Sequence, residues 1–290
     1  MTDTAQYLLE LAKRNVKPYI ANPKTKAVMV SGSVAEGLCD RYSDCDVMLY
    51  YDELPAVEEL HRARQQNQGA ELIEILGDRL EGAFGESFLM NGIEFQFAHA
   101  TISQWEKEMS TVLEEFDVPS PIMKMLYGTL VGIPLYGEGL IQQWKAKVAN
   151  YPDRLSETMV EKHLKFFPVW GMQEKLARRD TTLWHYQIML EAVQNLLGVL
   201  SGLNRLYYST FQFKRTSRFI ECMEIAPENL ADRLEGLFHD EPDIAVYQLE
   251  ELVRETVDLV EIHMPQVDIS KAKRKLGWRQ QPWKLGESDR

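Results

Sequence analysis

The chain of 290 residues has only three cysteines, Cys39, Cys45 and Cys222. Three thiols at these spacings exclude a disulfide framework and a zinc knuckle, and they point to a reducing compartment. No run of 18 or more apolar residues occurs, which excludes a membrane-spanning helix. The N-terminus, MTDTAQYLLELAKRN, lacks the basic start and apolar stretch of a secretory signal, so a cytoplasmic location is expected. Positive charge is also short. Lys and Arg number 32 against 44 Asp and Glu, a net charge of −12. That balance argues against long nucleic acid as a partner, because such binding rests on neutralised phosphates. It tolerates a cationic small molecule, though many acidic proteins bind none. Internal repeats and low-complexity segments are absent as well.

What is present is an ordinary globular composition, 45% apolar and 26% charged. The length suits one or two domains at roughly 150 residues each. Two textures divide the chain. Up to about residue 100, short β-like runs alternate with helices; beyond it the pattern is almost entirely helical. The expected fold class is α+β: an N-terminal domain over 1–120, with a small mixed sheet and helices, then a helical bundle over 121–290. The apolar spacing predicts a first helix over Thr4–Val16, a buried strand over Lys26–Val30 and a second strand over Cys45–Tyr51. A helix is expected over Leu54–Gln66. Asn91-Gly92 between two apolar runs, Phe88–Met90 and Ile93–Ala98, predicts a hairpin with a type I′ turn. Ser103 is the expected N-cap of the following helix. Further helices are expected over Ile122–Val131, Leu140–Ala149, Glu157–Ala177, Thr181–Tyr208, Lys214–Glu224, Glu228–Phe238 and Ile244–His263. Pro227 is the expected first-turn proline of one of them.

The informative stretch runs from Gly32 to Asp46. A strand ends in Gly32-Ser33, and a short helix begins near Val34. Free backbone N–H groups, a small hydroxyl and a glycine that permits close approach together suit an anion such as phosphate. The next strand opens with Asp44-Cys45-Asp46. Residues two apart on a strand share a face, so Asp44 and Asp46 present two carboxylates together while Cys45, Val47 and Leu49 point to the core. Converging carboxylates repel unless a cation sits between them. Mg²⁺ takes hard oxygen ligands, typically one or two carboxylates plus substrate phosphates. In Ile93–Ala98 the polar set Glu94, Gln96 and Ala98 alternates with Ile93, Phe95 and Phe97. Glu94, on the polar face, is the candidate third acid, as a metal ligand or as a general base for an acceptor hydroxyl.

Gly32, Ser33, Ala35, Gly37, Ser43, Asp44 and Asp46 resemble the signature of the polymerase-β-like nucleotidyltransferase superfamily. The size and the helical C-terminal half look like its aminoglycoside and lincosamide nucleotidyltransferases. This resemblance implies Mg²⁺ and ATP, or another nucleoside triphosphate, as co-substrate. It implies transfer of a nucleoside monophosphate, AMP by resemblance alone, to the hydroxyl of a small molecule such as an antibiotic. Asp44, Asp46 and Glu94 would be catalytic and metal-binding, Ser33 and the Gly32 backbone would hold phosphates, and Ser43 would be among the residues that bind the co-substrate. A protein or RNA acceptor and a non-catalytic, antitoxin-like nucleotide binder stay open beside it.

Other candidates compete with plainer readings. Arg41 can touch phosphate or be a surface residue. Lys214 or Arg215 can reach a triphosphate or form a solvated face. Trp184, His185, Tyr186 and Glu191 can line an acceptor pocket, with the active site expected in a cleft between the two domains, or simply pack. The basic tail from Asp268 can meet phosphate or pack by its tryptophans. A homodimer through the bundle is compatible with the sequence.

Overall fold

The computed structural model describes residues 2–67, 71–177 and 179–281. Its chain divides into two compact units: residues 1–117 with 121–151, and residues 118–120 with 152–290. The boundary expected at 120/121 therefore moves, because α6 (Ile122–Val131), β6 (Ile133–Tyr136) and α7 (Glu138–Ala149) fall in the first unit. The reason is pairing, since β6 lies antiparallel to β1 (Thr25–Val30).

The first unit is an α+β layer structure. Helix α1 (Asp3–Asn15) is capped by Thr2, whose hydroxyl accepts from the Ala5 amide at 3.2 Å, and it buries Leu8, Leu9, Leu11 and Ala12. After α2 (Lys17–Ile20) and β1 come α3 (Gly32–Glu36), β2 (Cys45–Tyr51) and α4 (Val57–Gln66). The strands β3 (Glu71–Asp78), β4 (Ala83–Met90) and β5 (Ile93–Thr101) follow, then α5 (Ile102–Leu113). The six strands form one mixed sheet in the order β3-β4-β5-β2-β1-β6, in which β2 and β5 are parallel.

Alternation decides the faces. Cys45, Val47, Leu49 and Tyr51 of β2 join Phe95 and Phe97 of β5 and Phe84 and Phe88 of β4 in one core with Leu8, Tyr19 and Leu60. On the opposite face of β2, Tyr50 packs edge-on to Trp144 of α7 and lies 6.1 Å from Trp105 of α5. The Asp44 end of that face is only half-buried. The carboxylates therefore open to solvent where the α5 and α7 cover stops.

Within the apolar core sits one polar network. Glu86, with a side chain 3% exposed, accepts from Tyr19 Oη at 3.1 Å, from His99 Nε2 at 3.3 Å and from Arg64. Tyr51 Oη lies 2.8 Å from His99 Nδ1. Burial pushes the Tyr51 hydroxyl far up and pushes the fully buried His99 down. The ionised Glu86 carboxylate only accepts, so His99 Nε2–H donates to it, and the neutral ring then accepts from Tyr51 at Nδ1. Burial alone would raise Glu86, yet His99, Arg64 and Tyr19 together hold it below the usual carboxylate range.

The second unit is helical. It comprises α8 (Asp153–His163), α9 (Gln173–Ala177), α10 (Thr182–Leu203), α11 (Thr216–Ile220), α12 (Leu230–His239), α13 (Pro242–His263) and α14 (Ser270–Lys273). The tail is tied back onto α13. Buried Glu250 accepts from the Gly277 amide at 2.7 Å and from Arg279 at 2.7 Å. Trp170 Nε1 donates to the Lys275 carbonyl at 2.9 Å. The tail's later part, with Trp283 and Lys284, lies outside the described residues.

Several sequence expectations need correction. Thr101, not Ser103, caps α5, accepting from the Gln104 amide at 3.1 Å. The helix expected over Glu157–Ala177 is broken after His163, since Pro168 cannot continue a helix. Pro227 is not a first-turn proline: α12 begins at Leu230, and Pro242 plays that part in α13. The helix expected over Lys214–Glu224 is a 3-10 turn followed by the five residues of α11. Ile133–Tyr136, not assigned to any element from the sequence, is a strand, and Pro134 is tolerated because β6 lies at a sheet edge.

Replacing Glu86 by Ala leaves Arg64 without its carboxylate and two buried donors without an acceptor. Breaking a buried pair this way costs about 3–5 kcal/mol, and urea unfolding at pH 7 is expected to show a loss of that size. Acidification should act in the same direction. His99 with a depressed pKa stabilises the fold above its unfolded value near ~6.5, and Glu86 does so above its own unfolded value. Stability is therefore expected to fall as pH drops below about 6.5, and a melting temperature flat from pH 7.5 to 4 contradicts the network.

Candidate active site

The site is built by strand register. β2 and β5 run parallel with Cys45 opposite Phe95, Asp46 opposite Gln96 and Met48 opposite Ala98. Apolar Cys45 and Phe95 turn to the core, so Asp46 and Gln96 turn to the other face together. Gln96 then joins the remaining acids. Its Nε2 donates to Asp44 Oδ2 at 3.1 Å and to Glu94 Oε1 at 3.2 Å. Asp44, Asp46 and Glu94 thus share one face, with Gln96 between two of them.

The turn after β1 packs against this face. Gly32 has φ +59°, a left-handed conformation that favours glycine, and a Cβ there would collide with Asp46 Oδ2. The Ser31 amide donates to the Asp46 carbonyl at 3.0 Å. Buried Val34 anchors α3, and Gly37 closes it with φ 71°. Tyr127 of α6 donates to Glu36 Oε2 at 3.2 Å, which ties α3 from its other side. Ser33, the expected phosphate ligand, lies beside the site with its Oγ 3.5 Å from Cys39 Sγ.

The loop before Asp44 holds its own shape. Ser43 Oγ accepts from the Asp40 amide at 3.0 Å and lies 3.1 Å from Asp40 Oδ1, which also takes the Tyr42 amide at 2.8 Å. The hydroxyl of Ser43, expected to bind the co-substrate, thus closes the loop here. Arg41 is exposed in the same loop. Burial, with Asp46, Cys39 and Asp44 nearby, pushes the Cys45 thiol well up, so it stays protonated and is no nucleophile.

The remaining candidates belong to the second unit. Lys214 lies in the 3-10 turn Thr210–Arg215 with its ammonium 5.5 Å from the Phe211 ring centre. His185 and Tyr186 line a cavity of about 420 Å³ with Phe238, Asp240 and Asp243, and burial pushes the His185 pKa down. Trp184 packs edge-on to Phe167, and Glu191 accepts from Gln187 at 2.9 Å.

Among the described residues, no three Asp, Glu, His or Cys side chains converge closely enough to enclose a cation by themselves. The donor chemistry nevertheless fits Mg²⁺, which completes its shell with water and substrate phosphates. Two observations bear on the fit: the missing Cβ of residue 32 lets the Asp46 carboxylate sit directly against the Gly32-Ser33 turn, and a neutral N–H donor pairs with two acids that a cation would attract. The alternation of Ile93–Ala98 places Gln96 on the Glu94 face, and that shared parity is the sequence signal for a part in the site that residue type alone does not suggest.

No protein-family model matches the chain, and no curated protein matches its sequence. Among solved structures, a nucleotidyltransferase-like protein from Exiguobacterium sibiricum 255-15 is similar at 12% identity, covering 90% of this chain and 81% of that one, with a TM-score of 0.37. A CCA-adding enzyme in complex with CTP is similar at 13% identity, covering 94% and 68%, with a TM-score of 0.30. No helix among the described residues is long and apolar enough to cross a membrane.

The fit of Gly32 against Asp46 is open to test. Gly32→Ala adds both a left-handed strain and a collision. It is expected to lower stability by about 1–3 kcal/mol, read by urea unfolding. An alanine variant as stable as the wild type contradicts the close approach.

Proposed function

We propose that the chain is a metal-dependent nucleotidyltransferase in which a hydroxyl of a small molecule attacks the α-phosphorus of ATP, so that AMP is transferred to the hydroxyl and pyrophosphate leaves. The observation that carries this reading is the joint placement of Asp44, Asp46 and Glu94 on one sheet face beside the Gly32-Ser33 turn. In that arrangement Asp44 and Asp46 hold the divalent cation, and Glu94 either adds a ligand or takes the proton of the attacking hydroxyl. Glu94 is half-buried, and its carboxylate accepts from a neutral donor, Gln96. Ser33 and the Gly32 backbone hold the phosphates beyond the reacting one. Bound Mg²⁺ supplies charge stabilisation to the attacking and leaving oxygens. The acidic chain suits a cationic acceptor of the aminoglycoside kind, and Arg41 is the cation proposed to meet the triphosphate.

Asp46→Asn tests the reading. Metal assistance is worth several kcal/mol, so the variant is expected to fold normally and lose about a thousandfold in rate. The assay follows label from α-labelled ATP into a pool of metabolites and antibiotics in the presence of Mg²⁺. Transfer by the wild type that the variant matches overturns the assignment. ATP bound without transfer to any pool favours the non-catalytic binder, and label on protein moves the acceptor to a side chain.

A further inference from the structure

We infer that Gln96 is a positioning residue, the neutral clamp that holds Asp44 and Glu94 together and yields them to a divalent cation. The inference rests on the metal-dependent reading above and assigns how that site is kept ready. The two carboxylates come from segments far apart in the sequence, and like charges brought together repel. Among the described residues near them, the side-chain donor that reaches both is one amide, Gln96 Nε2, at 3.1 Å and 3.2 Å. An amide nitrogen carries two N–H groups, one for each carboxylate.

The position of Gln96 is set by the backbone. It lies opposite Asp46 on β2 and opposite Ser87 on β4, so the register of both neighbours fixes where its side chain leaves the sheet. Its flanking residues, Phe95 and Phe97, are buried in the core and prevent a slip to the other face. Yet Gln96 itself is exposed. A side chain held by its base and free at its tip can let go of the carboxylates without moving the strand. It also adds no charge. A lysine there would neutralise the acids permanently and exclude the cation, whereas an amide pairs with them and still leaves the net negative charge that attracts Mg²⁺.

The test uses the whole chain, with Mn²⁺ as the probe, followed by the electron paramagnetic resonance of free Mn²⁺. Hydrogen bonds made only in the metal-free site stabilise that site and oppose metal binding. Gln96→Leu is therefore expected to tighten Mn²⁺ binding about tenfold, while its thermal melt stays that of the wild type. The second readout needs no variant in the clamp. With glutamine side chains ¹⁵N-labelled, the Gln96 amide signal, assigned by its loss in Gln96→Leu, is expected to shift in Asp44→Ala without metal. In the wild type it is expected to move saturably with Mg²⁺.

A Gln96→Leu protein that binds Mn²⁺ no more tightly than the wild type, where Asp46→Asn does not bind, overturns the clamp and leaves the nucleotidyltransferase reading standing. A wild type that binds no Mn²⁺, or an Asp46→Asn variant that binds it equally, overturns that reading and the metal hand-over with it. An amide signal indifferent to Asp44→Ala overturns the clamp whatever the metal does.

Discussion

The parallel pairing of β2 with β5 is the constraint on which the site depends. Parallel neighbours need a long crossover, and here α4, β3 and β4 lie between them in sequence. The pairing brings Asp44 and Asp46 beside Glu94 and Gln96. Its register is held from the other face, where Cys45, Val47 and Leu49 pack with Phe95 and Phe97. A slip of one residue would bury Asp46 or Gln96 and expose those apolar groups, so the core specifies the site.

The same strands carry acids of two kinds on their two faces. Glu86 lies in the core, and Arg64, His99 and Tyr19 satisfy it there. This carboxylate lies inside the core and is held by three donors, so its work is to join β4 to β5, α2 and α4. Asp44 and Glu94, on the open face, share one amide with two hydrogen bonds. Carboxylates that share so little are held in place without being neutralised, which is the state a cation-binding pair needs. Gly32 completes the arrangement, because without a Cβ it lets the Asp46 carboxylate pack against the turn.

Much of this is legible in the sequence where periodicity speaks. The alternation in CDVMLYY marks the limits of β2 and its two faces, and Asn91 and Gly92 both adopt the positive φ a type I′ turn requires. Gly32-Ser33 marks the turn at the end of β1. What spacing alone does not encode is which strand lies beside which. Glu94 can be named from its face, but its neighbour across the sheet, and the part of Gln96, need the register. β3 carries no clear alternation, because its apolar residues Leu72, Ile73, Ile75 and Leu76 fall on both parities, with a bulge between Leu72 and Glu74. A single helix running to Ala177 is ruled out by Pro168, where backbone chemistry outweighs an apolar pattern. Ser43 fits a signature by type, while its hydroxyl closes the loop with Asp40.

The measurement that tests the account most directly is the location of a cation. Crystals of the chain grown with Mn²⁺ and a non-hydrolysable ATP analogue would give an anomalous signal from the metal. The account predicts a peak bridging the Asp44 and Asp46 carboxylates and the nucleotide phosphates, with Gln96 released from Asp44. A nucleotide bound elsewhere, or phosphates at Gly32-Ser33 with no metal on Asp44 and Asp46, would contradict it.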